Sequence, residues 1–254
     1  MDTRLKDYLD LLVQKYNQKE FIPLDPISIP HRYRAKQDIE IAGLMAALFS
    51  WGNRTAIIKK AKEAVLLMDD APYDFVMNAE MSDLKPLRDF QYRTFNGIDF
   101  HSLIGFFKAT YSQFESMEDY FLLEDLPVFN GLERMHQAFI QNPNFTQRSK
   151  KHFSSPQNKS ACKRLNMFLR WMVRSDTAGV DFGIWKKLSP SHLLMPLDTH
   201  VYQVAKGLGI LTTQKPNWDG VLYLTDQLRA FDPTDPVKYD FALFGLGIES
   251  KKVQ

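Results

Sequence analysis

The fold class follows from residues 163–174, which read KRLNMFLRWMVR. Apolar residues recur here at intervals of three and four, so that Leu165, Phe168, Leu169 and Met172 share one face. This spacing is typical of an amphipathic helix with one buried side. The same spacing recurs along almost the whole chain, and no segment shows the alternation of a strand. We therefore predict an all-α protein with about ten helices.

Residues that can cap helices stand before most of these stretches. They are Asp38, Thr55, Asp99, Asp198 or Thr199, Asn217, and the pair Asp235-Pro236. The clearest break in the pattern is the polar loop between Gln141 and Ser160. We expect two helical lobes with a cleft between them. One lobe would comprise about residues 37–190, and the other residues 1–36 together with 191–254.

Composition narrows the class of protein further. The chain has 254 residues, of which 44% are hydrophobic and 24% charged, as in ordinary globular proteins. The single cysteine, Cys162, excludes an intrachain disulfide and a cluster held by several thiolates. The N-terminus lacks the apolar core of a signal peptide, and the longest apolar run, from Ile41 to Trp51, is too short to span a bilayer. We expect a cytoplasmic protein without a membrane partner.

Positive charge is concentrated in the middle of the chain. Between Glu133 and Asp176 there is no acidic residue, and the segment contains nine cations: Arg134, Arg148, Lys150, Lys151, Lys159, Lys163, Arg164, Arg170 and Arg174. The formal net charge of the whole chain is only +2, so the rest of the sequence is net negative. Such a block favours binding of a polyanion, with DNA as the first candidate. Lys150, Lys151, Lys159 and Arg164 are predicted DNA contacts.

Two residues near this block are suited to chemistry on DNA. Lys163 begins one predicted helix and Asp198 begins the next long one, so their side chains can meet at one site. A lysine amine is a nucleophile when it is neutral, and the neighbouring cations Lys159 and Arg164 disfavour its charged form. A carboxylate can accept the proton of the amine or face positive charge on a sugar. Together they suffice to remove a base through a Schiff base.

Each of these residues also has a simpler interpretation. Asp198 can act only as a helix cap, and Lys163 can be a solvated cation at a helix start. His200 lies close to Asp198, but we assign it no role. The other histidines lack the spacing of metal ligands, so we predict neither a metal nor a cofactor.

Several segments resemble one family. Asp198-Thr199-His200-Val201, followed by Gly207-Leu208-Gly209-Ile210, resembles the segment with the catalytic aspartate in the helix-hairpin-helix DNA glycosylase superfamily. Residues 163–169 are similar to the helix that begins with the Schiff-base lysine in its bifunctional members. Residues 44–55 resemble the early helix and the turn that enters the base stack, and residues 239–245 the last helix. The number of residues between Lys163 and Asp198 is most similar to that in archaeal 8-oxoguanine glycosylases.

This resemblance implies a DNA N-glycosylase and AP lyase of base excision repair, monomeric and acting on double-stranded DNA with a damaged base such as 8-oxoguanine. Lys163 and Asp198 would be its catalytic residues. Ser50, Trp51, Asn53 and Arg54 would form the base pocket or the wedge that fills the gap of a flipped base. The same four residues can equally be an ordinary helix end, with Trp51 in the core.

The sequence departs from the superfamily in two ways that matter for function. Ser155–Cys162 replaces the glycine-rich hairpin that binds a phosphate, and the four cysteines of an iron–sulfur cluster are absent. Two alternatives therefore stay open. One is a monofunctional glycosylase, in which Asp198 activates water and Lys163 contacts a phosphate. The other is a non-catalytic nucleic-acid-binding protein.

Overall fold

The computed structural model describes residues 3–122 and 124–252. Within them the chain forms ten α-helices: α1 (Thr3–Tyr16), α2 (Lys36–Phe49), α3 (Arg54–Leu66), α4 (Pro72–Asn78), α5 (Gly97–Tyr111), α6 (Pro127–Gln141), α7 (Lys163–Val173), α8 (Thr199–Gly207), α9 (Trp218–Arg229) and α10 (Asp240–Lys252). Short 3₁₀ turns lie between many of them, such as Gln147–His152 and Pro156–Asn158. The prediction of an all-α protein is confirmed at this level.

One small hairpin was not predicted. Strand β1 (Gln91–Tyr92) pairs with the antiparallel strand β2 (Phe95–Asn96), with Gln91 opposite Asn96 and Tyr92 opposite Phe95. Arg93 in the turn adopts the left-handed conformation, with φ of 54°. Strands of two residues are too short to show an alternating pattern, which is why the sequence did not reveal them.

The described residues form two compact units. The first runs from Thr3 to Ile22, includes Asp125–Val128 and continues from Pro156, while the second comprises Pro23–Glu124 and Phe129–Ser155. These boundaries differ from those of the predicted lobes, because residues 156–190, including α7, belong to the first unit together with the chain ends. The cleft expected between the predicted lobes stays a prediction.

The second unit is built around α2, which is buried from Ile39 to Phe49. α2 packs against α3 and α4, and the rings of Phe49, Phe90, Phe95 and Phe100 contact one another beside it. The buried carboxylate of Glu40 accepts hydrogen bonds from Tyr111 Oη at 2.8 Å, Met117 N at 3.1 Å and Ser116 Oγ. These bonds offset the cost of removing the carboxylate from water.

The first unit contains α1 and α7 to α10. α10 packs against α1 and α8, and Gly245 of α10 lies directly against the ring of Tyr16. α7 is the central helix of the candidate site described below. Its residues from Leu165 to Val173 are buried, which includes the four residues of the predicted apolar face.

Helix starts are partly as predicted. Asp198 and Asn217 are the N-caps of α8 and α9. By contrast, Asn53 rather than Thr55 caps α3, and Asn96 rather than Asp99 caps α5, where Asp99 completes a capping box as the third helical residue. Asp38 lies inside α2 and accepts a hydrogen bond from the backbone N of Tyr73 at 2.8 Å. α10 begins at Asp240, after a 3₁₀ turn over Pro236–Tyr239.

Candidate active site

Lys163 and Asp198 lie next to each other in the first unit. Lys163 is the first residue of α7, and Asp198 is the N-cap of α8. The distance from Lys163 Nζ to Asp198 Oδ2 is 4.0 Å, and the two side chains are 22% and 25% exposed. A ligand can therefore reach both groups, although they are 35 residues apart in sequence.

The two oxygens of Asp198 have different partners. Oδ1 accepts hydrogen bonds from the backbone N–H groups of His200 at 2.8 Å and Val201 at 2.9 Å. These bonds satisfy amides at the start of α8 and fix the carboxylate in place. Oδ2 faces Lys163. Capping and chemistry are therefore compatible in this one residue.

The amine of Lys163 has a weak hydrogen-bond acceptor beside it. Its Nζ lies 3.5 Å from Sδ of Met167, one helical turn further along α7. A thioether is a much poorer acceptor than an oxygen, and a positive charge at a helix N-terminus opposes the helix dipole. The nearby carboxylate of Asp198 attracts this charge.

A separate network of ion pairs lies further along α7. Arg170 donates to Asp240 and lies 3.3 Å from Asp181, and Arg174 lies 3.1 Å from Asp181. Arg174 also pairs with Asp176 at 2.6 Å and with Asp235 at 2.8 Å. The two arginines are 4% and 3% exposed, so they do not form a surface for DNA.

This network corrects the prediction drawn from the basic block. Two further cations of that block are also paired with carboxylates, Arg134 with Glu124 and Arg148 with Asp99. Runs of charge in a sequence do not show which cations have acidic partners elsewhere in the chain. The nine cations therefore do not form a single basic surface.

The predicted DNA contacts are divided between the units. Lys150 and Lys151 are exposed on the 3₁₀ turn Gln147–His152 of the second unit. Lys159 is exposed in the first unit, four residues before Lys163, and its φ of 56° is left-handed. Arg164 is half-buried, and burial of its guanidinium lowers its pKa.

The four predicted pocket or wedge residues all lie in the second unit, around the end of α2. Ser50 Oγ donates to Ala46 O at 2.7 Å, and Asn53 Oδ1 accepts from Ala56 N at 3.1 Å to cap α3. Arg54 is the first residue of α3. Trp51 is half-buried and contacts the hairpin. Ser50 and Asn53 therefore make the contacts expected of residues at a helix end and a helix start. The role of the four residues toward DNA stays a prediction.

Several residues of these sites were not found from the sequence. Arg93 lies over the ring of Trp51, with its Cζ 4.4 Å from the ring centroid, and Tyr92 Oη donates to Trp51 O at 2.8 Å. Gly52 leaves room for Arg93, because a side chain there would overlap the guanidinium. Met167 and Arg170 follow Lys163 at helical spacing, which is a signal available in the sequence. Asp240 gives no such signal.

The second unit also contains a surface pocket of about 500 Å³ at the start of α5. Arg88, Gly97, Ile98, His101, Asn144 and Thr146 line it. None of these residues was predicted to be functional. Lys163 and Asp198 belong to the other unit.

Neither a metal cluster nor a membrane span is evident in the part of the chain that the structure describes. Residues 3–122 and 124–252 contain no group of three or more His, Cys, Asp or Glu suited to hold a metal ion. No helix among them has both the length and the apolar character needed to cross a bilayer.

Comparison with known proteins corrects the family inferred from the sequence. The matching family model is described as Protein of unknown function (DUF2400), and no helix-hairpin-helix glycosylase family matches. No curated protein and no solved structure matches the chain. The assignment to the glycosylase superfamily was wrong. Its central motif, Asp198-Thr199-His200-Val201, is also what a well-capped helix start looks like, and such starts occur in many helical proteins. The DUF2400 model covers residues 25–249, so the chain belongs to that family.

Proposed function

We propose that this protein excises a damaged base from double-stranded DNA, as a DNA N-glycosylase with associated lyase activity, and that Lys163 and Asp198 perform the reaction. The observation that supports this most is the 4.0 Å approach of the Lys163 amine to the Asp198 carboxylate at two neighbouring helix starts. An amine and a carboxylate that a ligand can reach are the groups that base removal through a Schiff base requires.

In this reaction the neutral amine of Lys163 attacks C1′ of the damaged nucleotide. The bond between C1′ and the base breaks, and its electron pair leaves with the base. Asp198 accepts the proton that the amine gives up and stabilises the positive charge on the sugar. Opening of the sugar ring then leaves a Schiff base on Lys163. The exposed residues Lys150, Lys151 and Lys159 would contact phosphates.

Borohydride trapping on a lesion-bearing duplex tests this function. Borohydride reduces the Schiff base to a stable amine, so the wild-type protein should become covalently joined to DNA with 8-oxoguanine or another modified base. Lys163→Ala should form no adduct. Lys206→Ala is the matched control, because it removes an exposed lysine of the same unit that lies outside the predicted DNA contacts, and it should trap like the wild type. Absence of an adduct with every lesion tried would refute the lyase.

The Lys163–Asp198 distance also supports a second candidate, a monofunctional glycosylase. At 4.0 Å the pair is within ion-pair range, and a protonated lysine is not a nucleophile. Asp198 would then activate a water molecule, and the product would be an intact abasic site without strand cleavage. Base release without trapping distinguishes this candidate from the lyase.

A further inference from the structure

The ion pairs around α7 contain more carboxylates than cations. Lys163, Arg170 and Arg174 pair with five aspartates, which are Asp176, Asp181, Asp198, Asp235 and Asp240. Charges of one sign in a confined space cannot all stay ionised without a large cost. One of these carboxyl groups is therefore expected to bind a proton at a higher pH than an ordinary aspartate does.

Burial and pairing indicate which carboxyl it is. The side chains of Asp176 and Asp198 are 20% and 25% exposed, so water stabilises their charge. Within the described part of the chain, Asp235 has one buried oxygen without a hydrogen-bond partner, and burial raises its pKa, but Arg174 opposes this shift through an ion pair of 2.8 Å. The side chain of Asp181 is fully buried, but it contacts two arginines. Asp240 is also buried, with a side chain only 8% exposed, and its ion pair is with Arg170 alone among the described residues. Asp240 is thus the least stabilised as an anion.

Arg170, which binds Asp240, lies on the same face of α7 as Lys163. Lys163, Met167 and Arg170 are spaced four and three residues apart, so they share one face of the helix. Helical side chains lean toward the N-terminus, which directs Arg170, and the carboxyl group that it binds, toward Lys163. Asp240 therefore belongs to the same charged cluster as the candidate catalytic pair.

We propose that Asp240 takes up the proton that Lys163 releases, while Asp198 stays ionised and faces the sugar. The proton leaves the ammonium group of Lys163 and neutralises the Asp240 carboxylate. The lone pair that remains on Nζ then forms the bond to C1′, while the bond from C1′ to the base breaks and its electron pair leaves with the base. The departing base takes up, by way of Asp198, the second proton that the bonded nitrogen releases. In this scheme Asp240 acts as a base on the reacting amine and does not contact the sugar. The inference rests on the proposed lyase function and adds Asp240 as the base that produces the neutral amine of Lys163.

The electrostatics of the cluster agree with this division. Burial raises the pKa of Asp240 to about 6, the charges of Asp198 and Asp181 act in the same direction, and Arg170 and Lys163 oppose them. On the packed helix α1, Asp10 pairs with Lys6 and Lys238, and Lys15 pairs with Glu249. A carboxyl group that titrates near neutral pH is suited to exchange a proton during a reaction.

The pH profile of borohydride trapping tests the proposal. Only ionised Asp240 can accept a proton, so the wild-type rate should rise with pH through about 6. Asp240→Asn should lower the rate by roughly a hundredfold and abolish this rise. Asp240→Glu should restore part of both. Asp235→Asn is the matched control, because Asp235 is a carboxylate of the same network that pairs with Arg174, and it should keep the wild-type profile.

A stability measurement tests the protonation of Asp240 independently of activity. The pKa of Asp240 is higher in the folded protein than the ordinary value of 3.8, so the folded protein binds more protons between pH 3.8 and about 6. Its contribution to the free energy of unfolding should therefore fall as the pH rises through this window. The difference between wild type and Asp240→Asn in urea unfolding isolates this term. If Asp240→Asn does not fold, carbon NMR of the aspartate carboxyl groups in the wild type measures the same titration.

The outcomes separate the two proposals. A wild-type protein that traps no DNA at any pH refutes the proposed lyase. A folded Asp240→Asn variant with the wild-type rate and pH profile refutes the role of Asp240 and leaves the lyase standing. Equal pH dependence of unfolding in wild type and Asp240→Asn also refutes the role of Asp240, because Asp240 would then hold no extra proton.

Discussion

At the scale of single residues, Asp198 combines a structural and a proposed chemical role. One carboxylate oxygen caps α8 and the other faces Lys163. Sequence reasoning identified both residues because each begins a helix. It was not able to establish that the two side chains meet, since their 35-residue separation depends on how α7 and α8 pack.

The two roles of Asp198 can be separated by substitution. Asp198→Asn keeps an oxygen that can cap α8, so the free energy of unfolding should stay close to that of the wild type. Asp198→Ala removes the cap and should lower the free energy of unfolding by about 1 kcal/mol. Urea unfolding measures both. If base release is lost equally in both variants while only Asp198→Ala is destabilised, the loss of activity is chemical.

Lys159 provides a second prediction at this scale. It is exposed and has a left-handed backbone with φ of 56°, a conformation that glycine adopts without strain. Lys159→Gly should therefore raise the free energy of unfolding by roughly 0.5–1 kcal/mol. Lys150→Gly is the control, because Lys150 is exposed and is not among the left-handed residues. A loss of stability in both variants would contradict the prediction.

At the scale of elements, the spacing of apolar residues predicted where the helices lie. The capping side chains were a poorer guide to the residue at which each helix begins. Asn53 and Asn96 cap α3 and α5 in place of Thr55 and Asp99. Several polar residues near a helix start are competent caps, and the backbone conformation before the helix decides which one is used. The β1–β2 hairpin was missed because its strands are shorter than any periodic pattern.

Two helical glycines should respond in opposite directions to alanine. A side-chain carbon at Gly245 of α10 would overlap the ring of Tyr16 on α1, so Gly245→Ala should lower the free energy of unfolding by about 1–3 kcal/mol. At Gly207, the last residue of α8, no atom lies within 4 Å of such a carbon. Gly207→Ala should therefore raise the free energy of unfolding by about 0.5 kcal/mol. Thermal unfolding of both variants measures these changes. Equal changes in stability for Gly245→Ala and Gly207→Ala would contradict the close packing of α10 on α1.

At the scale of the whole molecule, the distribution of charge differs most from the sequence-based interpretation. The basic block predicted a continuous DNA surface, but Arg134, Arg148, Arg170 and Arg174 pair with carboxylates. The exposed cations that remain from the predicted contacts are Lys150, Lys151 and Lys159. Fewer phosphate contacts are therefore available than nine cations suggest.

The salt dependence of duplex binding measures these contacts. If Lys150, Lys151 and Lys159 each contact one phosphate, the affinity should fall roughly fortyfold between 50 and 200 mM salt. Replacing Lys150 and Lys151 with alanine should lower the slope of log affinity against log salt by about two. The matched control replaces Lys85 and Lys108, which are exposed in the same unit but outside the basic block. An equal effect of both pairs would exclude a specific role for Lys150 and Lys151.

The sequence alone determined the helical class, the position of α7 and the placement of Lys163 and Asp198 at helix starts. These properties depend on residues that are close in the chain, so the spacing of apolar residues and the capping side chains indicate them directly. Only the tertiary structure decided that Lys163 and Asp198 meet, that Arg170 binds Asp240 seventy residues away, and which basic residues stay exposed. Ion pairs and burial depend on which helices pack together, and no local pattern encodes that choice.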